Sequence, residues 1–367
     1  MKTQRIDTGL LIPVGILFLL SGILHQSHIY TYTNARFLYV MIGCLLALPL
    51  YLLAGIAAAH CSEGGLLCTI ERRFGTAVSL IFALCFAVAG CMVGAGFLRT
   101  YTELISLISL SQTPLWILCL PMLAAALCLI LKGPMALGRW SHFVLPGILI
   151  ILGLGFALSL KNADFSNLSP LLYGERRLLL PRGATTMLTA FSQATLLLIP
   201  ASACADRQKA PRAMIRILLI GGAILSLSAL QNVLLLGSSS VRSAYFTAFS
   251  AFSLIDVSPL LQRMEILIFV LLMVAGICNI ALSLHVLIES ADHLTRHRSK
   301  KWVTAAAALL TAGVAAFSRP RITDVFQPAV NTWPYFVLFH IALPVAASIL
   351  VLLPRRRPEG APTHPQR

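Results

Sequence analysis

The sequence predicts an all-α, polytopic membrane protein with about ten transmembrane helices in a 5+5 inverted repeat. Three observations carry that prediction. Of the 367 residues 58% are apolar and only 11% charged, where soluble domains carry about 25% charged residues. The apolar residues gather into stretches as long as a bilayer is thick. The basic residues gather into alternate loops.

A hydrocarbon core about 30 Å thick needs roughly 17 to 25 mostly apolar residues per helix. Ten stretches without Asp, Glu, Lys or Arg meet that need: Thr8 to Leu24, Phe37 to Ala59, Phe74 to Leu98, Leu115 to Leu131, Phe143 to Leu160, Gly183 to Ala203, Ile217 to Gly237, Ile266 to Ile288, Trp302 to Ser318 and Trp333 to Leu353. All 41 charged residues fall between or beyond them. That partition follows if each charge at bilayer depth costs about 2.5 to 3.5 kcal/mol.

With the N-terminus inside, eighteen of the 28 Lys and Arg residues fall in cytoplasmic segments, including Arg207 to Arg216, Arg296 to Lys301 and Arg355 to Arg357. The positive-inside rule then assigns both termini to the cytoplasm. The net charge of +15 is a loop property, and no aromatic-interleaved basic surface favours nucleic acid. The first stretch starts like a secretory leader, but no small-x-small cleavage pattern follows Leu24, so it is expected to be retained as a span. The nine cysteines form no C-x-x-C pair and no His cluster at ligand spacing. They read as small apolar fillers, with no metal site and no cofactor.

One transmembrane bundle is expected over residues 1–353, with repeats at about 8–160 and 183–353 and a disordered cytoplasmic tail over 354–367. The outer loops Lys161 to Arg182 and Ser238 to Glu265 hold short apolar runs, Leu178 to Leu180 and Ala248 to Phe252, expected along the membrane surface. Five spans per set put the second set in the membrane upside down. In such repeats the solute sits near the midplane, where the first helix of each half is broken. The corresponding spans are one and six. Span one contains Pro13, Gly15 and Ser21-Gly22; span six contains Thr185, Thr186, Thr189, Ser192, Gln193, Thr195 and Pro200. Two kinked but unbroken helices fit the same residues.

Several strings resemble the spore germination permease family, the B subunits of nutrient germinant receptors, within the amino acid/polyamine/organocation superfamily. Asp164-Phe165-Ser166-Asn167-Leu168-Ser169-Pro170-Leu171-Leu172-Tyr173-Gly174 is similar to that family's D-x-S-N-L-x-P-L-L-x-G element. Thr113-Pro114, Gly138-Arg139-Trp140 with Pro146, and Leu261 to Glu265 follow its order and spacing. The match runs from about Thr113 to Leu294; the first hundred residues agree only in span layout and a span-one glycine, Gly15. In two places the chain departs from the family. Ala190-Phe191-Ser192-Gln193 puts an amide where the family has a carboxylate, and Asn279 replaces a lysine. The resemblance implies the LeuT-like permease fold, a nutrient ligand such as an amino acid, an A-type membrane subunit and a C-type lipoprotein as partners, and the inner membrane of the spore.

The candidate ligand-binding residues are Gly15, Ser21 and Gly22 of span one, Gly94 of span three, Thr189, Ala190, Phe191, Ser192 and Gln193 of span six, and Asn279 and Ser283 of span eight. Gln193 offers two donors and two acceptor sites, to be met by a solute or by a neighbouring helix. Asn279 and Ser283 share one helix face and the same two readings. Peptide N–H groups at a broken span one, around Ser21 and Gly22, suit a carboxylate. Gly90, Gly94 and Gly96 form a small-residue face for helix packing or pore lining. His285 and His340 read as interfacial or hydrogen-bonded structural residues. No catalytic constellation is expected, because the ten stretches contain no carboxylate and Ser192 has no nearby histidine. A nutrient receptor subunit, a working permease and a scaffold with a decayed pocket remain as readings.

Overall fold

The computed structural model describes residues 6–20, 34–169, 171, 176–243, 246–255, 264–296, 300–317 and 333–353. Of the sequence expectations, Ser21, Gly22 and the tail 354–367 lie outside the described residues. The described residues are almost wholly helical. In chain order the helices are α1 (Thr8–Leu20), α2 (Arg36–Ala59), α3 (Gly65–Phe74), α4 (Thr76–Ile108), α5 (Leu115–Leu131) and α6 (Pro134–Ser159). A short α7 (Leu179–Thr186) follows, then a π-helical turn Met187–Phe191, a 3-10 segment Ser192–Leu197 and α8 (Leu198–Ser202). The chain continues through α9 (Ala210–Ser243), α10 (Thr247–Ser253), α11 (Met264–Leu294) and α12 (Lys300–Phe317). It ends on α13 (Trp333–Val337), a second π turn Leu338–Ala342 and α14 (Leu343–Leu352).

Six helical segments are long and apolar enough to cross a bilayer, and the pair Leu179–Phe191 and Thr195–Ser202, bent by 45°, makes a seventh if it is one broken span. Three shorter apolar helices, Thr8–Leu20, Leu115–Leu131 and Lys301–Phe317, fall on expected spans as well. Large apolar side chains face outward as lipid requires: Phe143 is 81% exposed and Leu309 74%. Trp116 and Trp302 stand exposed near helix ends, where indole rings favour the headgroup region.

The two largest helix interfaces are α2 against α9 and α4 against α11. Lipid is as apolar as leucine, so helices in a bilayer gain most by close van der Waals approach at small residues. Gly90 is the clearest case: a Cβ there would meet the Leu287 nitrogen and the Ser283 carbonyl oxygen, both at 3.0 Å.

Helix ends differ from the hydropathy boundaries. The third stretch was expected to stop at Leu98, but α4 runs to Ile108 and carries Arg99 and Glu103, one helical turn apart. Their side chains are 7% and 9% exposed and joined by a 2.6 Å ion pair. Hydropathy marks the edge of the hydrocarbon, whereas the backbone keeps its helical hydrogen bonds beyond it. The amphipathic α3 buries Leu66, Leu67 and Ile70 and turns Arg72 and Arg73 to its polar side. In the segment between α9 and α11, Ala248 and Phe252 were expected at the membrane surface, but α10 buries both. The Phe252 ring occupies the space that a Cβ on Gly155 would need.

The loop element Asp164 to Leu168 is held by its side chains. Asp164 caps the turn by accepting from the Ser166 N–H at 2.9 Å, which holds its carboxyl below the usual carboxylate range. The Asp164 N–H and Asn167 Nδ2 both donate to the Leu234 carbonyl, at 3.0 and 3.1 Å. The string therefore ties the loop after α6 to α9.

Candidate functional site at the discontinuous helix

Span six leaves α-helical geometry in its middle. A π turn releases one carbonyl and a 3-10 turn shifts the hydrogen-bond register, so backbone groups here need partners from elsewhere. Tyr51 of α2 donates to the Phe191 carbonyl at 2.9 Å. The Thr195 hydroxyl lies 2.7 Å from the Ser192 carbonyl and 3.1 Å from the carbonyl of His340 on the last helix. Both side chains come from other spans or the opposite end of the break, so the discontinuity is built into the bundle.

The expected span-six residues divide by what their side chains do. Thr189 donates to the Thr185 carbonyl at 2.9 Å and Ser192 to the Leu188 carbonyl, so both hydroxyls serve their own helix. Phe191 is fully buried, and its ring passes 3.7 Å from the place a Cβ on Gly222 would take. Ala190 is half-buried. Gln193 is half-buried and makes no hydrogen bond to another described residue.

A second cluster joins spans one, three and eight. Asn279 is fully buried and donates from Nδ2 to the Tyr101 hydroxyl at 3.0 Å. Its Oδ1 has no hydrogen-bond partner. Tyr101 fits because residue 276 is glycine, where a Cβ would come within 2.6 Å of the ring. Phe97 stands 6.5 Å from the Tyr101 ring and takes the edge of Phe18 of α1 at 5.3 Å. Ser283 donates to the Asn279 carbonyl at 2.9 Å. Gly94 faces it across the interface, its missing Cβ 3.1 Å from the Ser283 Cβ.

These clusters meet at the 3-10 segment, which packs against α1, α4 and the second π turn. Gly15 stands apart. A Cβ there would clash with Ile217 of α9 at 2.5 Å, and α1 is continuous through it from Thr8 to Leu20. Gly15 therefore sets helix spacing within the described part of span one.

Hydropathy and motif spacing missed several residues. Tyr51 and Tyr101 lie among apolar neighbours in sequence and are fully buried; a tyrosine in mid-span was the available signal. The Arg99–Glu103 pair lay outside the expected stretch. His340, read as interfacial or hydrogen-bonded, is fully buried, and neither ring nitrogen has a hydrogen-bond partner. At the C-terminal end of α11 a cavity of about 140 Å³ is lined by Leu67, Pro200, Ser202, His285, Glu289 and His293. His293 Nε2 lies 2.6 Å from the Ser79 hydroxyl and 3.6 Å from the Glu71 carboxylate. Two thiols beyond the span ends are titrated upward by burial, Cys61 to about 11 and Cys204 to about 12, so neither is primed as a nucleophile.

The chain matches the profile of the family described as spore germination protein over residues 8–319. Spore germination protein KB of Bacillus subtilis (strain 168) is 20% identical over 326 residues, 87% of each chain. Among solved structures, MhsT in complex with L-phenylalanine aligns with a TM-score of 0.66 at 12% identity, over 96% of this chain and 89% of that one. Mhp1, a nucleobase-cation-symport-1 family transporter in a closed conformation with bromovinylhydantoin bound, aligns with a TM-score of 0.66 at 16% identity, over 95% and 79%. The two structures establish a shared transporter fold. The family profile spans most of the sequence, and the chain belongs to the spore germination protein family as a multi-pass membrane protein.

Proposed function

We propose that the chain is a membrane subunit of a spore nutrient germinant receptor, or a related small-solute permease, and that it binds a small nutrient such as an amino acid in the middle of the bundle. The observation that carries this reading is the 45° break in span six, with Gln193 inside it and Tyr101, the hydrogen-bond partner of Asn279, on a helix that packs against it. A broken helix at the centre of a bundle presents peptide groups and helix ends to a solute without needing a side-chain charge. Both fold relatives were solved with a small molecule bound, L-phenylalanine in MhsT and bromovinylhydantoin in Mhp1.

In this reading Gln193 and Asn279 contact the nutrient, with Thr189 to Ser192 supplying backbone groups and Gly94 and Ser283, packed on each other, setting the position of Asn279. Ser21 and Gly22 are the matching place in span one. The bundle is two inverted repeats at about 8–160 and 183–353, and both termini face the cytoplasm. An A-type membrane subunit and a C-type lipoprotein receive the signal, and the chain itself performs no catalysis.

The test is Gln193→Leu. Membrane insertion should be kept, because the span becomes more apolar, while the germination response to nutrient is lost. An unchanged dose-response would remove Gln193 from the site. Uptake of radiolabelled amino acid into vesicles carrying this chain without partner subunits would favour the permease.

A further inference from the structure

We propose that His340 is a further solute-contacting residue, placed by the last helix against the break in span six. This rests on the reading above and extends it to a helix that the sequence did not implicate.

The ring is fully buried, and among the described residues neither nitrogen has a hydrogen-bond partner. A neutral imidazole carries one donor and one acceptor, so a buried ring with neither met is a cost that a fold removes unless the groups serve something else. The same turn also departs from α-helical geometry: Leu338–Ala342 is π-helical, a distortion found in short single turns and often at functional sites. It packs against the 3-10 segment of span six, which has itself just left a π turn. Thr195 links the two by its hydroxyl, and Gln193 stands two residues before it. Two irregular turns from different helices thus meet at one hydroxyl, with an imidazole unpartnered among the described residues on one and the half-buried Gln193 carboxamide on the other.

Two aromatic rings of the same helix lie beside the imidazole: Tyr335 edge-on at 5.3 Å and Phe336 tilted at 5.5 Å. They fix the plane of the imidazole and leave its hydrogen-bonding edge as the variable part. The chemistry offered at this junction is therefore neutral, donors and acceptors together. It suits the uncharged polar portion of a small solute, a hydroxyl, amide or ring N–H.

The experiment uses the full-length protein in detergent and follows thermal unfolding with each common L-amino acid presented separately. His340→Leu removes the unmet groups at nearly constant volume, and His340→Gln keeps a donor and an acceptor. We expect His340→Leu alone to raise Tm by about 2 to 4 °C. The amino-acid concentration giving half-maximal stabilisation should rise at least about tenfold in His340→Leu, with His340→Gln in between. If His340→Leu does not fold, an intermediate shift in His340→Gln supports the assignment and an unshifted one overturns it. A fall in Tm without solute for His340→Leu, or solute responses equal to wild type in both variants, would overturn the role of His340 while leaving the central site standing. If no amino acid stabilises the wild type, the nutrient reading itself fails and His340 with it.

Discussion

The interface between α4 and α11 and the junction between span six and the last helix use the same residue types to opposite ends. In the first, Gly90 lets two regular helices approach until backbone meets backbone, and Gly94 takes the Ser283 side chain and, from α12, that of Thr311. Ser283 and Thr311 send their hydroxyls to carbonyls four residues back, at 2.9 and 2.8 Å. In the second, both helices pass through π turns, and Thr195 reaches a carbonyl on the other helix. Each interface contains buried polar groups, but only the junction places them where the helical hydrogen-bond ladder is already open. A tight interface resists rearrangement, whereas a junction bridged by the Thr195 hydroxyl can change at small cost. The first is suited to scaffold and the second to response.

The largest effects should come from breaking the scaffold. Arg99→Met or Glu103→Gln alone leaves a buried charge unpaired and should cost about 3 to 5 kcal/mol. The double variant should recover most of that loss, because the desolvation of both charges disappears together. A double-mutant cycle of detergent melting curves measures this, and a double variant no more stable than its singles would show that the pair is stabilised by further partners. Gly90→Val comes next, at about 1 to 3 kcal/mol, because two backbone atoms at 3.0 Å cannot turn aside as a side chain can. Its readout is the yield of monodisperse membrane-inserted protein.

Two threonines sharpen the comparison. Thr195 and Thr311 are both fully buried, and Thr→Val removes one hydroxyl from each at constant shape. Thr311→Val gives up a bond that its carbonyl partner, already inside a regular helix, can spare, so stability and nutrient response should stay near wild type. Thr195→Val frees carbonyls at the break and should cost about 1 kcal/mol. It should also shift the nutrient dose-response. Equal behaviour of the two variants would erase the distinction between scaffold and junction.

The spans were legible because lipid imposes one rule along the whole chain, and ten charge-free stretches obey it. What lay just past them was not. Arg99 is adjacent to Leu98 in sequence, yet hydropathy cannot tell a charge that leaves the bundle from one that turns inward to meet Glu103. Span six was legible as an unusual helix from its threonines and Pro200. The fate of each hydroxyl was not, since Thr189 and Ser192 bond carbonyls one turn back in their own span while Thr195 also reaches the last helix. His340 was misread for a related reason: its partners, Thr195 and the facing 3-10 segment, lie about 145 residues away in sequence, and no local pattern carries that information. Gly15 looked like a break residue and is a spacer, because its neighbour is Ile217.

The smallest expected effect lies outside the membrane, at Asp164. Its carboxylate accepts from Ser166 and is titrated below the usual range for an aspartate by the Ser166 hydroxyl and N–H. A depressed folded-state pKa contributes stability that is fully present above the unfolded value, near 3.9, and is lost as pH falls through the lower folded value. Wild-type Tm should therefore fall slightly more steeply than that of Asp164→Asn below about pH 4, and the two curves should run parallel above it. The effect should be small because the carboxylate is exposed to water, which screens it. A difference that instead grew above pH 5 would mean that Asp164 acts on the α9 end through its charge and not through the capped turn. The loop would then belong with the junction rather than with the scaffold.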